Sequence, residues 1–162
     1  MLSATLQAAF NDQINFELAS AYVYLAMSAH FDESSLPGCA KWMKHQAEEE
    51  VGHAMRLLEY VHDRGSSVAL GAIPAPTGDF GTPRDTFQQA LEHEQAVTAR
   101  IHKMYELAQS EKDYATVSHL RWFIDEQVEE ESSAGEIIAM FDLAGQNPGA
   151  LLTIDGRLGA RE

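Results

Sequence analysis

Apolar side chains recur along residues 3–32 in alternating steps of three and four, with no proline or glycine among them. That period predicts a first long helix. Pro37 and Gly38 mark a second start, and the same period continues to about Arg64, where Gly65 stops it. Residues 66–82, SSVALGAIPAPTGDFGT, are rich in Gly, Pro and Ser and are predicted as loop. Thr82-Pro83-Arg84-Asp85 has the form of a capped helix start with proline in the first turn. A third helix follows to about Gln109, and after the short SEKD connection a fourth runs to about Ala144. Gly145, Pro148 and Gly149 then break the chain before a short apolar segment, predicted as a fifth helix over about 148–158.

At ~1.5 Å per residue each of the four long helices spans about 40 Å. The short first and third connections make antiparallel hairpins. The middle connection is too long for a tight turn, and fully extended it reaches about 60 Å. That is enough to run the length of a bundle and join two parallel helices. The expected fold is all-α: a single domain over 1–162, with a four-helix bundle over 3–144, one long crossover between helices 2 and 3, and a short fifth helix. Leu151, Leu152, Ile154 and Leu158 of that fifth segment have no room in a completed four-helix core, so they are expected to form a subunit contact.

Each long helix can be followed along one inward seam, and each seam is interrupted near its midpoint by an acid or amide. The first seam runs through Phe10, Ile14, Glu17, Ala21 and Tyr24; the second through Met43, Gln46 or Ala47, Glu50, and His53 or Ala54. The third passes Ala90, Glu94, Val97 and Ile101, and the fourth Phe123, Gln127, Glu130 and Ala134. Glu17 and Glu94, Glu50 and Gln127, and His53 and Glu130 are each separated by 77 residues, so the two hairpins present matching groups around one centre. An i, i+3 pair lies on one helix face, and each such pair can grip one object.

An acidic run such as Glu48-Glu49-Glu50 or Glu129-Glu130-Glu131 is ordinarily a solvated face. Here four carboxylates fall in one core layer, and no Lys or Arg occupies the seams to compensate them. Unpaired buried carboxylates are expensive, so they must either protonate or hold cations among them. Four carboxylates and one imidazole suit two adjacent divalent metals, with Glu50 placed to bridge. Oxygen-rich ligands with one nitrogen favour iron or manganese over structural zinc. The net charge of −14 argues against a nucleic-acid partner and for attraction of cations. No apolar run reaches membrane-span length, the N-terminal residues lack a signal-peptide pattern, and the single cysteine, Cys39, suits a reducing cytoplasm.

At Glu17, Glu50-x-x-His53, Glu94 and Gln127-x-x-Glu130 the chain resembles the ferritin family, specifically the bacterial non-haem ferritins. The resemblance covers essentially the whole chain, crossover and fifth helix included. It implies that Glu17, Glu50 and His53 hold one iron, that Glu50, Glu94 and Glu130 hold the other, and that Gln127 lies beside the pair. It further implies a third iron position at Glu49, Glu126, Glu129 and Glu130, and it places Tyr24 and Trp122 next to the centre. Bacterioferritins look similar but carry a second Glu-x-x-His and a haem-ligating Met. Here those positions are Glu130 and Val51, so no haem is expected.

The function this resemblance implies is ferroxidase activity, in which Fe(II) is oxidised by dioxygen or hydrogen peroxide at an intrasubunit dinuclear centre. Fe(III) is then stored as a mineral inside a homo-oligomeric, hollow 24-subunit shell. Two rival readings remain: a passive iron-sequestering shell, in relatives that lose these ligands, and a di-iron oxidase of an organic substrate.

Overall fold

The structure is a computed structural model describing residues 1–161. Five helices follow in order: α1 (Ala4–Glu33), α2 (Pro37–Asp63), α3 (Pro83–Ser110), α4 (Tyr114–Ala144) and α5 (Pro148–Gly159). Their ends follow from local chemistry. The Ser3 hydroxyl accepts from Leu6 N at 3.1 Å to start α1. Thr82 and Asp85 form a reciprocal capping box on α3, with Pro83 at its first position. The Asp113 side chain caps α4, and Gly145, at φ 56°, leaves it in a conformation that a β-carbon would strain. Asn147 caps α5 by accepting from Gly149 N and Ala150 N.

The helices α1 and α2 pack as one antiparallel hairpin and α3 and α4 as another. The long connection between them is ordered by α1 itself. Gln7, Asn11 and Asn15, spaced one helical turn apart, lie along one stripe of that helix. Gln7 Nε2 donates to Ser67 O at 3.1 Å. Asn11 Oδ1 accepts from Ala69 N at 3.1 Å, and Asn15 Oδ1 from Gly71 N at 2.9 Å. These side chains supply hydrogen bonds that a strand neighbour would otherwise provide. The connection therefore travels in the direction of α1, and buried Phe80 anchors its far end, its carbonyl accepting from Thr86 Oγ1 and Gln89 Nε2. As the sequence predicted, α3 then starts at the same end of the bundle as α2, where the Phe87 and Trp42 rings meet at 5.1 Å, and runs parallel to it.

Two apolar clusters fill the bundle. One, around Tyr24, Phe31, Met43, Phe87 and Phe141, lies toward the α5 end. The other, around Leu6, Phe10, Leu57, Ile101 and Phe123, lies toward the opposite end. The mid-helix polar residues fall between them.

The fifth helix departs from expectation. Ile154 and Leu158 are buried in this subunit, packed into the cluster that includes Cys39 and Trp42. Leu151 is half-buried, and Leu152 is the exposed member of the set. The reason is a close helix approach. A β-carbon on Gly38 would stand 1.8 Å from Asp155 O, and one on Gly159 would stand 3.1 Å from Gly38 Cα. The Asp155 carboxylate uses that proximity to accept from Cys39 N at 2.8 Å. It caps α2, which lacks a side-chain cap from its own preceding residue. Among the described residues, no helix is long and apolar enough to cross a membrane.

Candidate metal centre

Glu17 enters the mid-bundle layer from α1, Glu50 and His53 from α2, Glu94 from α3, and Gln127 and Glu130 from α4. All six side chains are buried, none more than 6% exposed. Each sits on the buried stripe of its helix, so the fold brings them together. One ligand atom from each of Glu17, Glu50 and His53 lies within 4.8 Å of the others, close enough for one ion. His53, Glu126 and Glu130 form a second such group. His53 is common to both. Glu94 joins neither group in this geometry, and its two carboxylate oxygens are engaged by protein donors.

Those donors are Tyr24 and Gln127. The Tyr24 hydroxyl donates to Glu94 Oε1, and Gln127 Nε2 donates to Glu94 Oε2 at 3.1 Å. Glu17 Oε1 accepts from Gln13 Nε2 at 2.8 Å, and Glu130 Oε2 accepts from Gln46 Nε2 at 2.5 Å. Among the described residues, three fully buried oxygens in the layer have no donor: Glu17 Oε2 and both oxygens of Glu50. A buried, donorless carboxylate oxygen is rare in proteins and calls for a proton or a cation.

The electrostatics agree. Burial, then the Glu50 charge, pushes the Glu17 carboxyl well above its ordinary range. Glu50 is pushed well up by burial and by Glu94. Glu94 is raised by burial although the bonds from Tyr24 and Gln127 oppose the shift. Glu130 is pushed up to about 7, chiefly by burial and secondarily by Glu94. Burial and Glu94 raise the Tyr24 phenol well above its usual value, which keeps it a donor. Like charges crowd one desolvated layer, so positive charge placed there is strongly favoured.

Sequence reasoning missed the residues behind the ligands. Arg100 of α3 donates through Nε to Gln13 Oε1 at 2.8 Å, which turns the amide of Gln13 toward Glu17. The same guanidinium pairs with Asp12 at 2.5 Å and lies 4.2 Å over the Phe16 ring. On the other side, Arg161 donates to Gln46 Oε1 at 2.9 Å, which turns that amide toward Glu130. Gln13 stands one turn before Glu17, a spacing that could have signalled the contact. The two arginines lie too far away in sequence for any local pattern to find. Trp122 meets His53 in a T-shaped contact at 5.6 Å, and the Arg56 guanidinium lies 4.1 Å over the Trp122 ring. Of the remaining residues expected at the site, Glu126 is half-buried and Glu129 exposed. Glu49 is half-buried and paired with Arg161 at 2.6 Å.

The chain is similar to known proteins along nearly its whole length. Residues 7–144 match the sequence model of the Ferritin family, described as a ferritin-like domain. A bacterial non-heme ferritin of Staphylococcus aureus is 42% identical over 161 residues, spanning 99% of this chain and 97% of that protein. The Staphylococcus haemolyticus counterpart matches at the same identity and coverage. An open-pore ferritin from the hyperthermophilic archaeon Archaeoglobus fulgidus superposes with a TM-score of 0.99. It is 42% identical, and the match covers 100% of this chain and 99% of that one. An engineered closed form of the A. fulgidus ferritin superposes with a TM-score of 0.98 at 42% identity, covering 100% of this chain and 99% of that one.

Proposed function

Since this chain belongs to the ferritin family, whose work is iron storage, we propose that its mid-bundle layer is the ferroxidase centre that feeds such storage. Fe(II) is the substrate. Two Fe(II) ions enter the layer, each loses one electron, and dioxygen or hydrogen peroxide takes up the pair of electrons. One ion lies among Glu17, Glu50 and His53, and the other among Glu50, Glu94 and Glu130. The single observation that carries this reading is the set of donorless oxygens on Glu17 and Glu50 beside the His53 imidazole. Both Glu50 oxygens are free of protein donors, as a residue shared between two ions requires.

The protein's part is electrostatic and geometric. The carboxylates favour the additional positive charge of Fe(III) over Fe(II) because they act in a desolvated layer. Gln13 and Gln46 fix the carboxylates of Glu17 and Glu130, while Tyr24 and Gln127 fix that of Glu94. A third position, drawn from Glu49, Glu126, Glu129 and Glu130, gives oxidised iron a way out of the pair. The product mineralises within a hollow shell of 24 copies in the cytoplasm. An apolar face on the outside of the first hairpin supports assembly: Tyr22, Leu25, Val51 and Met55 are each at least 43% exposed. An oxidase of an organic substrate is disfavoured, since Glu17, Glu50 and Glu94 are at most 1% exposed.

The test is stopped-flow absorbance of ferric species after adding two Fe(II) per subunit, comparing the native protein with Glu130→Ala. A fast phase in the native protein that is lost or slowed in the variant supports the reading. Equal fast phases would mean that iron is oxidised elsewhere.

A further inference from the structure

One cation is already built into the edge of the centre. Arg161, two residues beyond α5, directs its guanidinium at three partners. Nη2 meets Glu49 Oε2 at 2.6 Å, and Nη1 donates to Gln46 Oε1 at 2.9 Å. The guanidinium carbon lies 4.8 Å over the Trp42 ring. An exposed ion pair alone would contribute little. Here the planar fork serves a carboxylate and a buried amide at once while resting on an aromatic face, a geometry that suits Arg and that Lys cannot reproduce. The segment carrying it is fixed as well, by buried Ile154 and Leu158 and by Lys41 Nζ donating to Gly159 O at 2.9 Å.

We propose that Arg161 is the resident counter-cation of the outer carboxylates, and that iron moving from the dinuclear layer toward Glu49 must displace it. The inference rests on the ferroxidase reading and adds a competitor to it. Arg161 occupies Glu49 Oε2, and a metal ion on the same carboxylate would stand beside the guanidinium, where two cations repel. Seating iron at this position therefore releases the segment after α5, while the docked segment keeps iron in the pair. Because Gln46 also contacts Glu130, release of Arg161 frees the Gln46 amide to rotate and loosens its hold on that ligand. By reciprocity, whatever factor the metal costs the docked arginine, the docked arginine costs the metal.

The experiment uses the assembled, metal-free protein and Fe(II) alone, without oxygen. Calorimetric titration compares the native chain with Arg161→Gln and Arg161→Lys. In parallel, hydrogen exchange of residues 157–161 is followed in the native protein, which needs no variant to fold. Arg161→Gln should bind the iron beyond two per subunit roughly tenfold tighter. Arg161→Lys, which keeps the charge but not the fork, should fall between. Exchange at residues 157–161 should rise only after the first two sites are filled. If the additional iron binds Arg161→Gln with unchanged or weaker affinity, or if exchange ignores iron, the proposal is overturned while the dinuclear centre stands. If the native protein lacks the first two sites, both readings fall together.

Discussion

The α1/α2 hairpin and the α3/α4 hairpin contribute matching positions 77 residues apart, yet they hold their carboxylates in opposite ways. On the first hairpin, three of the four oxygens of Glu17 and Glu50 lack any donor. On the second, Tyr24 and Gln127 occupy both oxygens of Glu94, and Gln46 reaches Glu130. The first half therefore depends on a cation or protons for most of its oxygens, whereas in the second the protein supplies donors to both oxygens of Glu94 and one of Glu130. Pseudo-symmetry of backbone and spacing does not carry over to energetics. The half that contains His53 is built to be completed, and the other half is built to be held in place.

Single substitutions should break the comparison most clearly. Glu50→Ala should slow the fast oxidation phase by at least roughly a hundredfold, beyond what loss of a residue behind a ligand does. It should also raise the melting temperature of the metal-free protein, because it removes a donorless charge from a like-charged layer. Glu94→Ala should slow oxidation too but lower that melting temperature, since it strands the buried Tyr24 hydroxyl without an acceptor at a cost of about 1–3 kcal/mol, while Gln127 keeps the backbone carbonyl of residue 94 and Thr98 Oγ1. Calorimetry on metal-free protein reads both. Shifts of the same sign would erase the distinction between the halves.

The next effect is a pH dependence. Glu17, Glu50, Glu94 and Glu130 all have folded-state values raised above the ordinary carboxylate range, with Glu130 at about 7. A raised group binds its proton more tightly when folded, so its stabilisation is complete below the ordinary value and is lost as pH rises through the folded one. Metal-free protein should therefore melt at a lower temperature at pH 8 than at pH 5.5, and filling the layer with a divalent ion should remove or reverse the difference. His119 works the other way: burial lowers it to about 4, so its contribution is lost as pH falls from about 6.5 toward 4. Thermal melts across this range, with and without metal, would decide it. A metal-free protein that gains stability steadily up to pH 8 would contradict the picture of donorless acids.

The smallest effect sharpens the satisfied half. Tyr24→Phe removes one donor to Glu94, at about 1 kcal/mol of folded-state stability. Because that bond opposes the upward shift of Glu94, the variant should also titrate Glu94 higher and weaken the second iron by several-fold while leaving the first. Anaerobic binding isotherms separate the two ions. Equal weakening of both would mean that Tyr24 does not act through Glu94.

Much of this molecule was legible along the chain because long helices write their faces into the sequence. Unbroken 3.6-residue periods, Pro at helix starts and the Thr82–Asp85 capping box placed each end within a residue or two. The acids stood out because they fell on seams that are otherwise largely apolar. What escaped was contact between elements distant in sequence. Gln13 and Gln46 are polar seam residues whose partners, Arg100 and Arg161, come from other helices or from beyond them. The docking of α5 depends on Gly38 letting another backbone approach, and a glycine beside a helix-starting proline reads only as a break. The stripe of Gln7, Asn11 and Asn15 was visible, but nothing local says that a crossover will lie on it.

The most direct test is a crystal of the assembled protein soaked anaerobically with Fe(II), with anomalous scattering used to locate the metal. The account predicts two irons in the mid-bundle layer, both touching Glu50, with His53 on only one of them. Glu94 should turn at least one oxygen from its protein donors toward the second iron. Metal found only on exposed carboxylates, or a single ion that leaves the Glu50 oxygens without a partner, would contradict it.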